Sequence, residues 1–234
     1  MKILNTFKGT SKIIIAAITL SVALVSCTKD DDLTPQQISG LSVIHASPTT
    51  EKFDFFVDNT KANTADFAYS GKIDYLDLIS GNRKFIISKK GTTTPLLSDT
   101  MTVKPGIGYS LFVIDKIETL KYLLLTDDLT QPAAGKARVR FVNVSPDAPA
   151  LNLAIGGSTT DLFTNQSFKG SSAFASIDAA EKVTFNVKNK ETGALEASLA
   201  DVKIEAGKIY TIWVKGLKAA TDDTKLGVAV FTHK

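Results

Sequence analysis

Two histidines and two acidic pairs are the first side chains of this sequence whose chemistry could serve a function. His45 and His233 lie in different halves of the chain, and neither has a second histidine or a cysteine nearby to complete a zinc site. We expect His45 to face a turn or to be half-buried, and His233 to lie beside a flexible C-terminus. The histidines therefore indicate neither a metal site nor a catalytic base.

The acidic pairs Asp127-Asp128 and Asp222-Asp223 lie in threonine-rich stretches. Calcium requires about six to eight oxygen ligands from a defined loop, and no EF-hand spacing occurs, so we interpret both pairs as solvated turn residues. The sequence also lacks a Gly-x-Ser-x-Gly elbow, a phosphate-binding loop and a His-Glu-x-x-His motif. This inventory predicts a protein that is not an enzyme and has no metal or other cofactor. A glycosidase that uses two carboxylates stays an alternative.

Three aromatic residues are candidates for ligand binding. Strand alternation sends Tyr210 to one face of its strand and Trp213 to the other, and Phe112 occupies the matching place 101 positions earlier. If exposed, Trp213, Phe112 and also Tyr122 would offer platforms for sugars or a partner. If the face of Trp213 and Phe112 instead packs against the other half of the chain, these two residues would hold the halves together. Large aromatic side chains are more often buried, which favours the packing role.

The beginning of the chain has the three parts of an export signal. Basic residues precede an apolar run at 13–25, which is too short to span a bilayer as a helix, and small residues follow. The tetrapeptide Leu-Val-Ser-Cys at 24–27 resembles a bacterial lipobox, in which the cysteine is acylated and becomes the new N-terminus. Cys27 is the only cysteine, so an intrachain disulfide is excluded. We predict a signal peptide at 1–26 and a covalent lipid on Cys27 that anchors the protein to a membrane.

A flexible polar tether at 27–40 begins at the predicted lipidation site. Its residues Lys29, Asp30, Asp31 and Asp32 resemble the signal that some Gram-negative bacteria place after a lipidated cysteine to display lipoproteins outside the cell. We therefore expect an outer-membrane protein that is exposed at the cell surface, with the periplasmic face as the alternative.

Charge and composition limit the possible partners. Without the three lysines of the signal peptide, 24 of the 27 basic residues remain against 24 acidic residues, and a neutral chain lacks the basic surface that nucleic acid requires. With 44% hydrophobic and 22% charged residues, the chain has the composition of a globular protein, so extensive disorder is not expected.

Short apolar alternations broken by turn residues run from position 41 to the end of the chain, and no stretch keeps a helical period. The predicted strands lie at 53–57, 84–87, 108–114, 151–155, 183–187, 210–214 and 227–231. The two Ser-Pro pairs at 47–48 and 145–146 are 98 positions apart, which indicates one unit used twice. We predict an all-β fold of two tandem antiparallel β-sandwich domains, immunoglobulin-like or transthyretin-like. Repeat 1 is predicted at 41–128 and repeat 2 at 137–234, and a linker at 129–136 joins them.

The residues that recur between the two halves have a structural interpretation. Proline fixes φ in a turn, while serine, aspartate and asparagine side chains brace it through hydrogen bonds. A tyrosine that opens a strand after a glycine turn commonly buries its ring and bonds its hydroxyl to nearby backbone. The predicted turn residues are Asn143, Ser145, Pro146, Asp147, Ser47 and Pro48, and the predicted corner residues are Tyr109 and Tyr210.

One segment carries a family resemblance. Residues 135–149, Gly-Lys-Ala-Arg-Val-Arg-Phe-Val-Asn-Val-Ser-Pro-Asp-Ala-Pro, and 206–211, Ala-Gly-Lys-Ile-Tyr-Thr, resemble the family called domain of unknown function forty-three ninety-seven. The resemblance implies a bacterial surface or periplasmic protein, often a lipoprotein, with tandem β-sandwich repeats and no assigned catalytic residue. The first half departs from the pattern, since His45 replaces Asn and Thr-Thr-Glu at 49–51 replaces Asp-Ala-Pro.

These features predict a membrane-anchored cell-surface lipoprotein that acts as a non-catalytic binding or interaction module. Its partner would be a protein or the extracellular matrix. One alternative is a carbohydrate-binding accessory lipoprotein of a polysaccharide-capture system with a glycan partner. A second alternative is a periplasmic structural lipoprotein.

Overall fold

The computed structural model describes residues 36–233. The predicted signal peptide, Cys27 and the charged block at 29–32 lie outside the described residues. Within the described range the chain forms strands and one 3-10 helix, Ile117–Thr119, and it contains no α-helix. No described segment forms an apolar helix long enough to cross a membrane. The predicted all-β class is confirmed.

Sixteen strands follow one another along the described chain. The first eight are β1 (Ile38–His45), β2 (Phe53–Val57), β3 (Thr60–Lys61), β4 (Lys72–Ile79), β5 (Gly81–Lys89), β6 (Pro95–Val103), β7 (Gly108–Ile114) and β8 (Lys121–Asp127). The second eight are β9 (Lys136–Asn143), β10 (Leu151–Ile155), β11 (Asp161–Gln166), β12 (Ala175–Asp178), β13 (Ala180–Asn189), β14 (Leu195–Ile204), β15 (Ile209–Lys215) and β16 (Gly227–Thr232).

Each half of the chain forms a sandwich-like unit of two four-stranded sheets. The first unit has the orders β4-β1-β7-β8 and β3-β2-β5-β6, and the second has β12-β9-β15-β16 and β11-β10-β13-β14. The second unit thus has the strand order of the first. The predicted arrangement of two sandwich-like units is confirmed, but purely antiparallel pairing is wrong, because β1 and β7 are parallel, as are β9 and β15. These two pairs join strands that are distant in the chain, which is what parallel pairing requires.

In two of the four sheets, the central strands are buried on both faces. In β7, Leu111 and Val113 lie in the core of the first unit, whereas Phe112 and Ile114 lie on the opposite face. We call the sheets β4-β1-β7-β8 and β12-β9-β15-β16 the inner sheets, and the interface where their outward faces meet the seam. The buried apolar residues of the seam are Ile44, Ala46, Phe112, Ile114, Val142, Val144 and Trp213. A strand covered on both faces needs consecutive apolar residues, which explains the nearly unbroken apolar run of β7.

Residues 36–233 belong to one compact unit of the chain. The two sandwich-like units lie within it and meet at the seam, where burial of each large apolar side chain contributes about 1.5–3 kcal/mol. The boundaries 41–128, 129–136 and 137–234, taken as those of independent domains, stay a prediction.

Candidate functional site

A ring of hydrogen-bonded polar side chains is buried in the seam. Arg140 Nη2 lies 2.8 Å from Asp127 Oδ1, and Arg140 donates through Nη2 and Nε to Thr211 Oγ1 at 3.0 and 3.2 Å. His233 continues the ring, with Nε2 at 2.8 Å from Thr211 Oγ1 and Nδ1 at 2.7 Å from Tyr75 Oη. Tyr75 Oη donates to Asp127 Oδ2 at 2.5 Å and closes it. We call these five residues the buried circuit.

The direction of each hydrogen bond in the buried circuit fixes the tautomer of His233. The single hydroxyl proton of Tyr75 goes to Asp127, so Tyr75 Oη must accept the proton that His233 carries on Nδ1. His233 Nε2 is then an acceptor and receives the hydroxyl proton of Thr211. Every one of these donors has an acceptor when the imidazole is neutral. The circuit therefore contains one ion pair and one neutral histidine.

Burial sets the charges of this circuit. The side chains of Arg140 and Asp127 are 3% and 0% exposed. Burial lowers the pKa of Arg140, and the neighbouring Asp127 carboxylate opposes that shift. Burial also lowers the pKa of His233 to about 4, which keeps the imidazole neutral at neutral pH. The pKa of Tyr75 is raised, first by burial and then by Asp127.

The circuit connects the two sandwich-like units. Tyr75 and Asp127 come from strands of the first unit, whereas Arg140, Thr211 and His233 come from the second. The Ser110 hydroxyl of the first unit adds bonds of 2.9 Å to both oxygens of Asp127. Because a buried charge is costly without its counterion, the pair can form only when the inner sheets dock in this register. The arrangement holds the two inner sheets together. Its acidic and basic side chains are already bonded to each other.

A cleft of about 320 Å³ opens beside the buried circuit. Arg138 and Arg140 lie over the Phe174 ring, with their guanidinium carbons 5.5 and 4.7 Å from its centroid. Each guanidinium is paired with a carboxylate, Arg138 with Asp128 and Arg140 with Asp127. Both cations of the cleft are therefore already neutralised, and we assign the cleft no ligand.

Of the three aromatic residues predicted as ligand platforms, Trp213 and Phe112 are buried and Tyr122 is half-buried. Trp213 and Phe112 are 2% and 0% exposed and meet edge-to-face in the seam, with ring centroids 5.9 Å apart. Tyr122 packs edge-to-face on Phe85 at 6.4 Å, and its hydroxyl is buried. The platform alternative is thus wrong for Trp213 and Phe112, because a second sheet covers their faces, and for the half-buried Tyr122 it stays a prediction. Trp213 and Phe112 have the alternative role of holding the two halves together.

The interpretation of the acidic pairs as solvated is wrong for Asp127. This residue ends β8 with a fully buried side chain, and its carboxylate compensates the charge of Arg140. Asp128, Asp222 and Asp223 are exposed, and Asp222 Oδ1 accepts bonds from the backbone N–H and hydroxyl of Thr224. In the described part of the chain, no three His, Cys, Asp or Glu side chains are grouped so that they could hold a metal ion.

The two histidines are more buried than the sequence predicted. His233 is 4% exposed and belongs to the buried circuit, and His45 is completely buried. The His45 ring stacks on Phe53 with centroids 4.2 Å apart, and its Nε2 lies 3.2 Å from the Glu51 carbonyl oxygen. Its Nδ1 is buried without a partner, and burial lowers the pKa of His45 to about 4. Both rings are therefore buried and neutral at neutral pH.

In the second unit, the turn residues brace the end of β9. The Asn143 side chain accepts from the Ser145 backbone N–H at 3.1 Å and donates to the Gln166 carbonyl at 3.0 Å. The Ser145 hydroxyl donates to the Gly216 carbonyl at 2.7 Å rather than accepting from a backbone N–H. Asp147 accepts from two backbone N–H groups, those of residues 218 and 219. These contacts tie the turn that contains Pro146 to the loop after β15.

The corresponding turn of the first unit is less well bonded. Ser47 is fully buried, yet its hydroxyl has no hydrogen-bond partner, and the half-buried Pro48 follows it. The corner residues are alike in the two units: Tyr109 Oη accepts from the Lys104 N–H at 3.0 Å, and Tyr210 Oη accepts from the Glu205 N–H at 2.9 Å. Both tyrosine rings are buried, so each fixes the turn before its strand.

Three members of the buried circuit, Arg140, Thr211 and Tyr75, were not identified from sequence as a polar cluster. One signal was available for Arg140, because it occupies an alternate position between buried apolar residues of β9. A charged residue at such a position requires a buried partner. No comparable signal in the sequence indicates which carboxylate is the partner of this arginine.

Comparisons with known proteins give a family and several distant structures. Residues 39–154 match the family described as "Domain of unknown function (DUF4397)". The match spans the first unit and continues through most of β10, so the departures at 45 and 49–51 do not remove the first half from the family. A search of curated proteins finds no match.

The similar solved structures include family 41 carbohydrate-binding modules from streptococcal virulence factors, described as recognising alpha-glucan. They are 14% identical with a TM-score of 0.26, covering 81% of this chain and 96% of theirs. A family 26 module of Eubacterium rectale Amy13K, solved with maltoheptaose, is 12% identical with a TM-score of 0.25, covering 82% and 96%. A putative cell adhesion protein from Bacteroides eggerthii is 8% identical with a TM-score of 0.22, covering 85% and 96%.

These TM-scores are too low to carry an argument about ligand or activity. The family match rests on sequence and not on these structures. It covers the motif at 135–149 and the first unit from position 39. Through residues 39–154, the chain belongs to the family described as "Domain of unknown function (DUF4397)".

Proposed function

We propose that this protein is a non-catalytic binding module that a lipid on Cys27 holds at the outer surface of a bacterial outer membrane. The observation that carries the proposal is the seam. Its buried ionisable groups are paired with each other and join the two sandwich-like units. A structure of this kind leaves its outer sheets and loops free to contact a partner. This location supports a partner in the surrounding matrix or a protein partner at the cell surface.

The anchoring part of the proposal rests on the sequence before the described residues. The apolar run at 13–25 directs export, and the lone Cys27 at the end of the lipobox accepts lipid. Several acyl chains, at about 0.8 kcal/mol per buried methylene, hold a protein at a bilayer without a spanning helix. The block at 29–32 then directs display outside the cell.

The test compares three full-length proteins expressed in a Gram-negative host: the unchanged chain, Cys27→Ala, and a variant with alanine at 29–32. We expect the unchanged chain to take up a palmitate analogue, to sediment with outer membranes and to be digested by protease added to intact cells. Cys27→Ala should lose the label and the sedimentation. The 29–32 variant should keep the label but resist the protease. An unlabelled, freely soluble unchanged chain would refute the anchor, and equal digestion of the 29–32 variant would refute the display signal.

The non-catalytic part of the proposal has its own assay. Polysaccharides incubated with the purified full-length chain should release no new reducing ends. Hydrolysis that disappears on replacing one acidic pair, such as Asp222-Asp223, would instead make the protein a glycosidase that uses two carboxylates.

A further inference from the structure

A cavity of about 310 Å³ lies on the outer face of the sheet β3-β2-β5-β6, away from the seam. Its lining residues are Phe56, Asn59, Lys84, Ile86, Ser88 and Pro95, together with Thr93. This volume is at the lower end of the range of about 300–1,000 Å³ that is usual for small-molecule sites. The lining has the composition of such sites, since aromatic and aliphatic surface is combined with a few polar groups.

Ser88 is the unusual residue of this cavity. It is 1% exposed, and its hydroxyl is buried without a hydrogen-bond partner. The alternation of β5 puts Phe85 and Ile87 in the core of the first unit and Ser88 on the opposite face, beside Ile86 and the half-buried Phe56. A buried hydroxyl without a partner is unfavourable by about 1–3 kcal/mol, so a ligand that bonds it would recover part of that cost.

The same positions of the second unit are filled differently. Phe56 pairs with Ile86 across β2 and β5, and the equivalent pair across β10 and β13 is Ala154 with Asn186. Asn186 Oδ1 accepts a hydrogen bond from the Ser198 hydroxyl at 2.9 Å. The second unit thus satisfies this face internally, so the fold does not require the lining that the first unit has here.

The charges around the cavity leave one cation uncompensated. Asp58 pairs with Arg83 at 2.7 Å, and Asp54 pairs with Lys61 at 2.6 Å. Lys84, which lines the cavity, makes no ion pair with any residue in the described part of the chain. The cavity therefore combines an aromatic face, hydroxyl and amide groups, and one unpaired ammonium group.

We propose that this cavity binds a carboxylated sugar ring, a hexuronic acid, which deepens the proposed function by naming its ligand class. The apolar C–H face of the ring lies on Phe56, and the ring hydroxyls bond to Ser88, Thr93 and Asn59. The carboxylate pairs with the Lys84 ammonium in a charge-assisted hydrogen bond. The ligand can be a free sugar acid or a residue of an acidic polysaccharide, which share this chemistry.

The test uses purified full-length protein in detergent, titrated calorimetrically with D-glucuronate, D-glucose and short oligoglucuronates. Glucuronate should bind about tenfold more tightly than glucose, a ratio that one charge-assisted contact supplies. Oligoglucuronates that bind no better than the free acid would identify the free sugar acid as the source. Tighter binding by longer oligosaccharides would identify an acidic polysaccharide as the source of the ligand.

Three variants and one control variant separate the contacts. Lys84→Gln should remove the preference for glucuronate over glucose, whereas Lys182→Gln, an exposed lysine on β13 of the second unit, should leave it unchanged. Phe56→Ala should weaken both sugars. Ser88→Ala should weaken binding several-fold without lowering the urea midpoint, because its hydroxyl has no partner in the free protein.

Absence of binding by all three probes, or a glucuronate preference that survives Lys84→Gln, would overturn the proposal. These results are independent of the anchoring test. A chain that binds glucuronate but carries no lipid would refute the proposed location alone, and a lipidated surface protein without sugar binding would refute the ligand alone.

Discussion

Removing the carboxylate of Asp127 should open the seam. The Asp127→Ala variant leaves the Arg140 guanidinium, which is 3% exposed, without a counterion. It also removes the acceptor of the Ser110 and Tyr75 hydroxyls, whose bonds measure 2.9 and 2.5 Å. We therefore expect a large loss of stability from a single truncation.

The magnitude follows from burial. Breaking a buried ion pair by removing one partner costs about 3–5 kcal/mol, a large part of the roughly 5–15 kcal/mol that stabilises a typical domain. The adjacent Asp128→Ala variant is the matched control, since Asp128 pairs with Arg138 at the surface, with 51% and 18% of the side chains exposed. An exposed pair of this kind contributes at most about 1 kcal/mol. Replacing Asp127 and Arg140 together by Leu and Met should cost less than the two single losses combined.

Urea unfolding followed by tryptophan fluorescence measures these free energies. Trp213 is the only tryptophan and is buried in the seam, so its emission reports on seam opening directly. Equal losses for Asp127→Ala and Asp128→Ala, within about 0.5 kcal/mol, would refute the conclusion that the buried circuit joins the two units.

Two further predictions concern the histidines and the serine turns. Burial lowers the pKa of His45 and of His233 from 6.5 to about 4, so the folded protein binds fewer protons than the unfolded chain, and their contribution is complete above pH 6.5. Stability should then fall by up to about 3 kcal/mol per histidine as the pH drops towards 4, and an unchanged urea midpoint between about pH 7 and 4.5 would contradict this. Ser145→Ala removes the 2.7 Å bond to the Gly216 carbonyl and should cost about 1–3 kcal/mol, whereas Ser47→Ala should cost close to nothing because that hydroxyl has no partner. The same denaturation assay compares the two serine variants, and equal losses would contradict the assignment.

Strands with a strong local pattern could be located from sequence. The predicted strands at 53–57, 108–114 and 151–155 have the bounds of β2, β7 and β10. Strand β6 gave no comparable signal, because it is an edge strand whose residues are mostly exposed and whose apolar residues are interrupted by the polar run at 98–100. Apolar alternation identifies a strand only where one face is regularly buried.

The candidate site was less accessible to sequence reasoning than the strands. The lone arginine between apolar residues of β9 could have indicated a buried charge, but Asp127 resembled an ordinary turn acid. His233 lies one residue from the C-terminus, a place that usually frays. The cavity at Phe56 depends on side chains from several strands and a hairpin loop, which no short motif brings together.

Sequence alone was sufficient to indicate the all-β class, one unit used twice and a lone cysteine at position 27. Each of these depends on local periodicity or on composition, which can be read without coordinates. The tertiary structure decided that Trp213 and Phe112 face another sheet and that Asp127 meets Arg140. Those contacts depend on how two inner sheets dock face to face, and a strand's own pattern of apolar residues does not specify what will cover its second face.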